Sequence, residues 1–220
     1  MKIRIKIQGA LVFLSLGAAI LLSNFLCPHY KNEALNKFLS SAGICLVFIG
    51  SLIRVASRGQ KAEASLNGHA LVKSGFYKFS RNPMYFGTFL ISSGVTLALF
   101  EWWVLFIFAA GYLSIYIPQI IKEERVLFKA FGSEYTDYCR KTSRFFPKPI
   151  EVVKTNARNY LYFKWPWLRK ELQPLIGIIC VIIAIKAFRG APWQELFEYL
   201  FIIFSVCVIF AFLYRKEDAK

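Results

Sequence analysis

The chain has 220 residues, 56% of them hydrophobic with 22 phenylalanines, and a formal net charge of +15. So apolar a composition excludes an ordinary soluble domain. The positive charge flanks the apolar runs and no nucleic-acid-binding motif accompanies it, so it is assigned to membrane topology and anionic lipid headgroups rather than to RNA or DNA.

A helix needs about 20 apolar residues to cross roughly 30 Å of hydrocarbon, and uninterrupted runs therefore set the architecture. The first run, 7–26, carries no charge and follows Lys2, Arg4 and Lys6. It is too long for a signal peptide and lacks a small-residue cleavage site, so it is expected to remain as an anchor. The second run is 38–53, after which a hydrophilic stretch from Arg54 to Asn82 carries turn signals at Asn67-Gly68 and Ser74-Gly75. Runs 83–100 and 102–121 are separated only by Glu101, which predicts a tight helical hairpin with Trp102 and Trp103 in an interfacial belt at its tip.

Beyond this hairpin Val126, Leu127, Ala130 and Phe131 share one helical face, extending the span into an amphipathic cytosolic helix. Gly132 is expected to end it, and Ser133 to cap a short helix bearing Tyr135 and Tyr138 before Pro147 and Pro149 close the unit. Residues 156–170 interleave cations with Trp165, Trp167 and two tyrosines, a mixture suited to the headgroup region. Runs 172–185 and 196–214 complete the series.

The predicted fold is all-α, a polytopic transmembrane helical bundle of about six spans with a cytoplasmic cofactor-binding region. It divides into N-terminal spans (1–65), a core with the hairpin and cytosolic motifs (66–149), and an interfacial segment with C-terminal spans (150–220). With a cytoplasmic N-terminus, segments 1–6, 54–82, 122–171 and 215–220 hold 24 Lys and Arg against four in the opposite loops, Lys31, Lys37, Lys186 and Arg189. That bias satisfies the positive-inside rule and places both termini in the cytoplasm. The five cysteines are scattered without metal-ligand spacing; they are expected to be small hydrophobes, and no metal is expected.

Three polar signals fall on the predicted cytoplasmic side: Arg81-Asn82-Pro83 with Tyr77 and Tyr85 around it, Glu123-Glu124 at the end of the fourth span, and Phe131-Gly132-Ser133-Glu134-Tyr135-Thr136-Asp137-Tyr138. Each has an ordinary structural explanation. Proline suits the first turn of a helix, an arginine at the boundary obeys the charge rule, and paired glutamates or an amphipathic segment can be a solvated face.

Taken in order, however, these pieces resemble the isoprenylcysteine carboxyl methyltransferases and the related phospholipid methyltransferases. The pattern runs through Leu71-Val72, Gly75-Phe76-Tyr77, Arg81-Asn82-Pro83-Met84-Tyr85-Phe86-Gly87, Glu123-Glu124, Phe131-Gly132 with Tyr135 and Tyr138, and Phe145-Phe146-Pro147. Two positions depart from it: Asn82 stands where histidine is commoner, and Phe76 where proline is. An amide cannot titrate near neutral pH, which excludes proton transfer at position 82.

The resemblance implies S-adenosylmethionine as cofactor and a lipid-like acceptor reached from the bilayer, with Arg81 and Glu124 as catalytic residues. It further implies that Glu123 and Glu124 bind the cofactor's ammonium or ribose hydroxyls and Arg81 its carboxylate. Tyr77, Tyr85, Tyr135 and Tyr138 would offer ring faces, Asn82 a hydrogen bond, Pro83 a fixed turn and Gly87 close approach to the hairpin. His69 could contact cofactor, act as a base, or be a polar loop residue. A carboxylate acceptor is already ionised at pH 7, so alignment and desolvation would carry most of the rate. Competing readings are a phospholipid N-methyltransferase, a nicotinamide-dependent membrane reductase, and a non-enzymatic transporter or scaffold. The acceptor and the oligomeric state are not legible in the sequence.

Overall fold

The structure, a computed structural model, describes residues 33–65, 70–147 and 165–190, with single positions between 193 and 205. The expected run 7–26, most of 196–214, and Asn67, Gly68, His69 and Pro149 lie outside these residues.

The described residues form helices and connecting turns with no strand; the one β-type contact is an isolated parallel bridge between Ser80 and Ser143. Helix α1 is Glu33–Ala64, and a 3-10 turn at Gly75–Lys78 precedes helix α2, Pro83–Leu99. Helix α3 is Val104–Lys141 and helix α4 is Trp165–Phe188.

Two of these helices, α1 and α3, are long and apolar enough to cross a membrane. For α3 only 11% of the most apolar stretch is buried, and Phe106, Ile107 and Ile115 are among its exposed side chains. An apolar helix that buries so little of itself is not a soluble core helix, and a hydrocarbon solvent accounts for its surface.

The hairpin expected at Glu101 is present. Helix α2 ends where Phe100 N donates to Thr96 O, and Val104 N donates to Glu101 O as α3 begins, with Trp102 exposed at the tip. Helix α1 is longer than the apolar run that predicted it, so Arg54 sits inside a helix rather than at the start of a loop. It donates to Thr88 Oγ1 of α2 at 3.1 Å. Helix α4 likewise begins earlier than its run and takes in part of the segment expected in the headgroups.

Gly132 interrupts α3 as expected: its backbone is non-helical (φ 53°, ψ −121°), a conformation strained for an L side chain, so two helical pieces meet there at a kink, the second bearing Tyr135 and Tyr138.

Helices α1 and α2 run antiparallel at unusually short range. A Cβ on Gly43 would lie 2.5 Å from Gly94 O, and one on Gly94 would lie 2.3 Å from Gly43 O. One heptad along, Gly50 and Gly87 repeat the arrangement, at 2.5 Å from Gly87 O and 2.7 Å from Gly50 O. Without a hydrophobic drive between helices in lipid, small residues that let backbones touch supply the dispersion contacts that hold the pair. Val47, Ile91, Ala98 and Leu99 fill the spaces between the glycines, joined by Ile182 of α4.

At the hairpin-tip end of this bundle, Lys186 is buried and donates to Ser40 Oγ at 2.8 Å and Tyr199 Oη at 2.7 Å. Nearby Arg189 donates to Leu99 O, a carbonyl left by the end of α2.

Candidate functional site

The hairpin sets the height of the site. Seventeen residues of α2 and the first eighteen of α3 each climb about 26 Å, so Asn82 and the pair Glu123-Glu124 arrive at one level. The chain then returns along residues 142–147 and closes over this end. Arg81 N donates to Ser143 O at 2.9 Å, Ser80 Oγ to Phe145 O at 2.8 Å, and Ser143 Oγ to Phe79 O at 2.9 Å. Tyr138 Oη donates to Tyr77 O, tying the far end of α3 to the 3-10 turn.

Within this clamp lies a charge cluster centred on Glu124. Arg81 Nη1 is 3.3 Å from Glu124 Oε1, Arg144 Nε is 3.0 Å from Oε2, and Asn82 Nδ2 donates to Oε1 at 3.4 Å. The Arg81 and Glu124 side chains are 11% and 10% exposed, whereas Arg144 is 49% exposed. Burial makes the first pair interdependent, because removing either charge strands the other in a low dielectric. Arg81 Nη1 also donates to Cys139 Sγ.

Asn82 occupies the N-cap of α2 but makes no side-chain cap. Its amide instead donates to Arg144 O at 2.9 Å, so a residue type favoured at caps for local reasons is used here to join two distant segments. Glu123 is more exposed and accepts from Tyr85 Oη at 2.6 Å and Gln119 Nε2 at 2.9 Å. Burial raises the pKa of Tyr77 above the ordinary phenol value, and the charge of Glu123 raises it further, so this phenol stays protonated at physiological pH.

Below the charges an aromatic wall continues between α2 and α3. Tyr112 and Tyr116 stack at 4.1 Å, Tyr112 Oη donates to Tyr85 O, and Phe86 and Phe89 meet Phe145 and Phe146 edge-on. The site thus has a polar roof and an apolar floor.

Of the residues the sequence singled out, Arg81, Asn82, Tyr85, Glu123 and Glu124 converge here, with Tyr77, Tyr135 and Tyr138 beside them. Pro83 is fully buried at the first turn of α2, and Gly87 faces α1 rather than α3, with Gly50 O and Arg54 Cγ where its Cβ would be. These two shape the scaffold beneath the cluster. Sequence reasoning missed Arg144, Ser80 and Ser143; the only signal was the position of Arg144 directly before Phe145-Phe146-Pro147.

The sequence model of the phospholipid methyltransferase family matches residues 14–134, more than half of the chain. The chain belongs to this family. Among curated proteins it is 29% identical over 132 residues to a protein-S-isoprenylcysteine O-methyltransferase of Saccharomyces cerevisiae, covering 55% of each. A protein of the same name from Dictyostelium discoideum is 30% identical over 103 residues, 43% of each chain. The nickel-cobalt-cadmium resistance protein NccN of Alcaligenes xylosoxydans xylosoxydans is 27% identical over 139 residues, 59% of this chain and 61% of that protein. The chain therefore spans about half the length of the curated relatives it matches. No solved structure matches it.

Proposed function

We propose that this phospholipid methyltransferase family member is an integral-membrane enzyme that takes a methyl group from S-adenosylmethionine and delivers it to a lipid-like acceptor, an isoprenylcysteine carboxylate. The observation that carries the reading is the buried Arg81–Glu124 pair set directly above an aromatic wall between two apolar helices. A water-soluble, zwitterionic donor and a greasy acceptor need such a two-phase boundary.

The residues fit the cofactor. Arg81 Nε is buried without a hydrogen-bond partner among the described residues and Tyr135 Oη has only the Cys139 thiol, a weak partner, beside it, and such donors are rarely left unsatisfied. A ligand carrying a carboxylate and ribose hydroxyls would satisfy both. Bound there, S-adenosylmethionine supplies a methyl group activated by a sulfonium. Arg81 would hold anionic oxygen, Glu123 and Glu124 would accept from ammonium or hydroxyl groups, and the rings of Tyr77, Tyr85, Tyr135 and Tyr138 would lie against cationic or planar parts. Phe145, Phe146 and the stacked tyrosines would exclude water from the acceptor side. No general base is required of Asn82, since a carboxylate acceptor arrives ionised.

A phospholipid amine is the second acceptor reading, favoured by the family description. The six-span bundle with both termini cytoplasmic, its three-part division, and a cytoplasmic face for this site belong to the same proposal, resting on the distribution of basic residues.

The test is transfer of labelled methyl from S-adenosylmethionine by the detergent-solubilised protein to N-acetyl-S-farnesylcysteine and, in parallel, to phosphatidylethanolamine. Label in the base-labile ester supports the first acceptor, and label in the headgroup selects the second. Label in neither, with calorimetry showing binding of a nicotinamide dinucleotide but not of S-adenosylmethionine, would return the site to the reductase reading.

A further inference from the structure

We infer that Arg144, outside the stretch matched by the family model, is a carboxylate-binding residue of the site, oriented by Glu124; this rests on the methyltransferase reading. Charge balance leads to it. Glu124 carries one negative charge between two guanidiniums, and Arg81, nearly as buried as Glu124, is its natural counter-ion. Arg144 is then the second guanidinium on one carboxylate, and it is the one of the three groups that reaches solvent. Glu123 carries a second negative charge, but its hydrogen bonds come from the neutral Tyr85 and Gln119, and among the described residues it makes no ion pair with Arg144.

Geometry agrees. Arg144 meets Glu124 through Nε alone, at 3.0 Å, and its two terminal nitrogens make no hydrogen bond among the described residues. Its backbone is held independently, since Asn82 Nδ2 donates to its carbonyl and the neighbouring Ser143 and Phe145 are bonded to the 79–81 segment. A guanidinium fixed through Nε on a buried carboxylate presents its terminal nitrogens as a preorganised donor pair, the arrangement that suits bidentate capture of a second carboxylate. A lysine ammonium offers no such fork.

Two carboxylates come to this site under the methyltransferase reading, the amino-acid carboxylate of the cofactor and that of the acceptor, and the experiment separates them. Calorimetry with the full-length protein in detergent would compare S-adenosylmethionine with its decarboxylated analogue, and N-acetyl-S-farnesylcysteine with its carboxamide. The wild type is expected to favour the carboxylate form of one pair by on the order of tenfold, and Arg144→Gln to lose that preference while still binding the neutral form. Loss confined to the first pair assigns Arg144 to the cofactor, and loss confined to the second assigns it to the acceptor. Arg144→Lys should keep part of the preference, and Arg140→Gln, a surface change in the last turn of α3, should keep all of it.

If the wild type discriminates within either pair and Arg144→Gln discriminates equally well, the inference is wrong and the methyltransferase reading stands. Binding of none of the four ligands by the wild type overturns both. Arg144→Gln that fails to bind even the neutral forms, with an unchanged melting temperature, would mean Arg144 acts through the whole site rather than on a carboxylate, and also sinks the inference.

Discussion

Glu124 and Glu123 are adjacent and chemically identical, and the fold makes them unequal. Glu124 is buried against Arg81, whereas Glu123 sits at the surface on Tyr85 and Gln119. Glu124→Gln should therefore destabilise the protein by about 3–5 kcal/mol, the usual consequence of leaving a buried partner charge uncompensated, and weaken S-adenosylmethionine binding as well. Glu123→Gln should cost under about 1 kcal/mol in stability, as expected for exposed polar contacts. Thermal unfolding in detergent separates the two, and equal shifts would show that the burial difference has no energetic meaning. Asn82 serves as a donor to Arg144 O and Glu124, so Asn82→His should keep most activity with no new pH dependence, while Asn82→Ala loses roughly 0.5–1.5 kcal/mol of binding or stability. A many-fold gain for the histidine variant with an inflection near neutrality would mean the site wants a proton carrier. Tyr77 makes the alkaline limit testable. Its folded-state pKa lies above the unfolded value near 10, so its contribution is fully present below about pH 10 and is lost as the pH rises through the folded pKa. The melting temperature of the wild type should fall more steeply above about pH 10 than that of Tyr77→Phe.

Between elements, the decisive contact is the backbone approach of α1 and α2. Gly43 faces Gly94 and Gly50 faces Gly87 with no room for a Cβ, so any side chain there must push two helices apart. Gly94→Leu is expected to destabilise by at least about 1–3 kcal/mol, the range for overpacking. Gly111 in α3 provides the control. Among the described residues no atom outside its own stretch of helix lies within 4 Å of its would-be Cβ, so Gly111→Ala should be neutral or stabilise by up to about 1 kcal/mol through helix propensity. Gly132 obeys a third rule: space is open around it among the described residues, but its positive φ makes Gly132→Ala strained and should loosen Tyr138 from the 3-10 turn. Similar melting temperatures for Gly94→Leu and Gly111→Ala would refute the glycine contact. A glycine therefore means close approach at 94, nothing at 111, and backbone conformation at 132, which spacing in the sequence does not distinguish.

For the whole molecule, the 24 to four division of basic residues predicts that a reporter fused after Lys220 is active in the cytoplasm, and activity on the far side would overturn the span count or the orientation. The same division was legible at once because topology is written in local runs: apolar length, flanking cations, and the lone Glu101 that splits a hairpin. Local runs also located the candidate site, since a turn at 100–103 brings the start of one span level with the end of the next. Thus the sequence alone determined an all-helical chain with membrane-crossing segments and one face bearing Arg81, Asn82, Glu123 and Glu124. Only the tertiary structure decided that Glu124 is buried between two arginines, that Arg144 is one of them, that Ser80 and Ser143 lock the returning chain, and that Gly87 packs against α1 instead of lining the hairpin. Each of those facts joins residues separated by 20 to 65 positions. Helical periodicity reports only on neighbours three or four apart, so burial, charge pairing across such distances and which glycine meets which backbone emerge only when the helices pack.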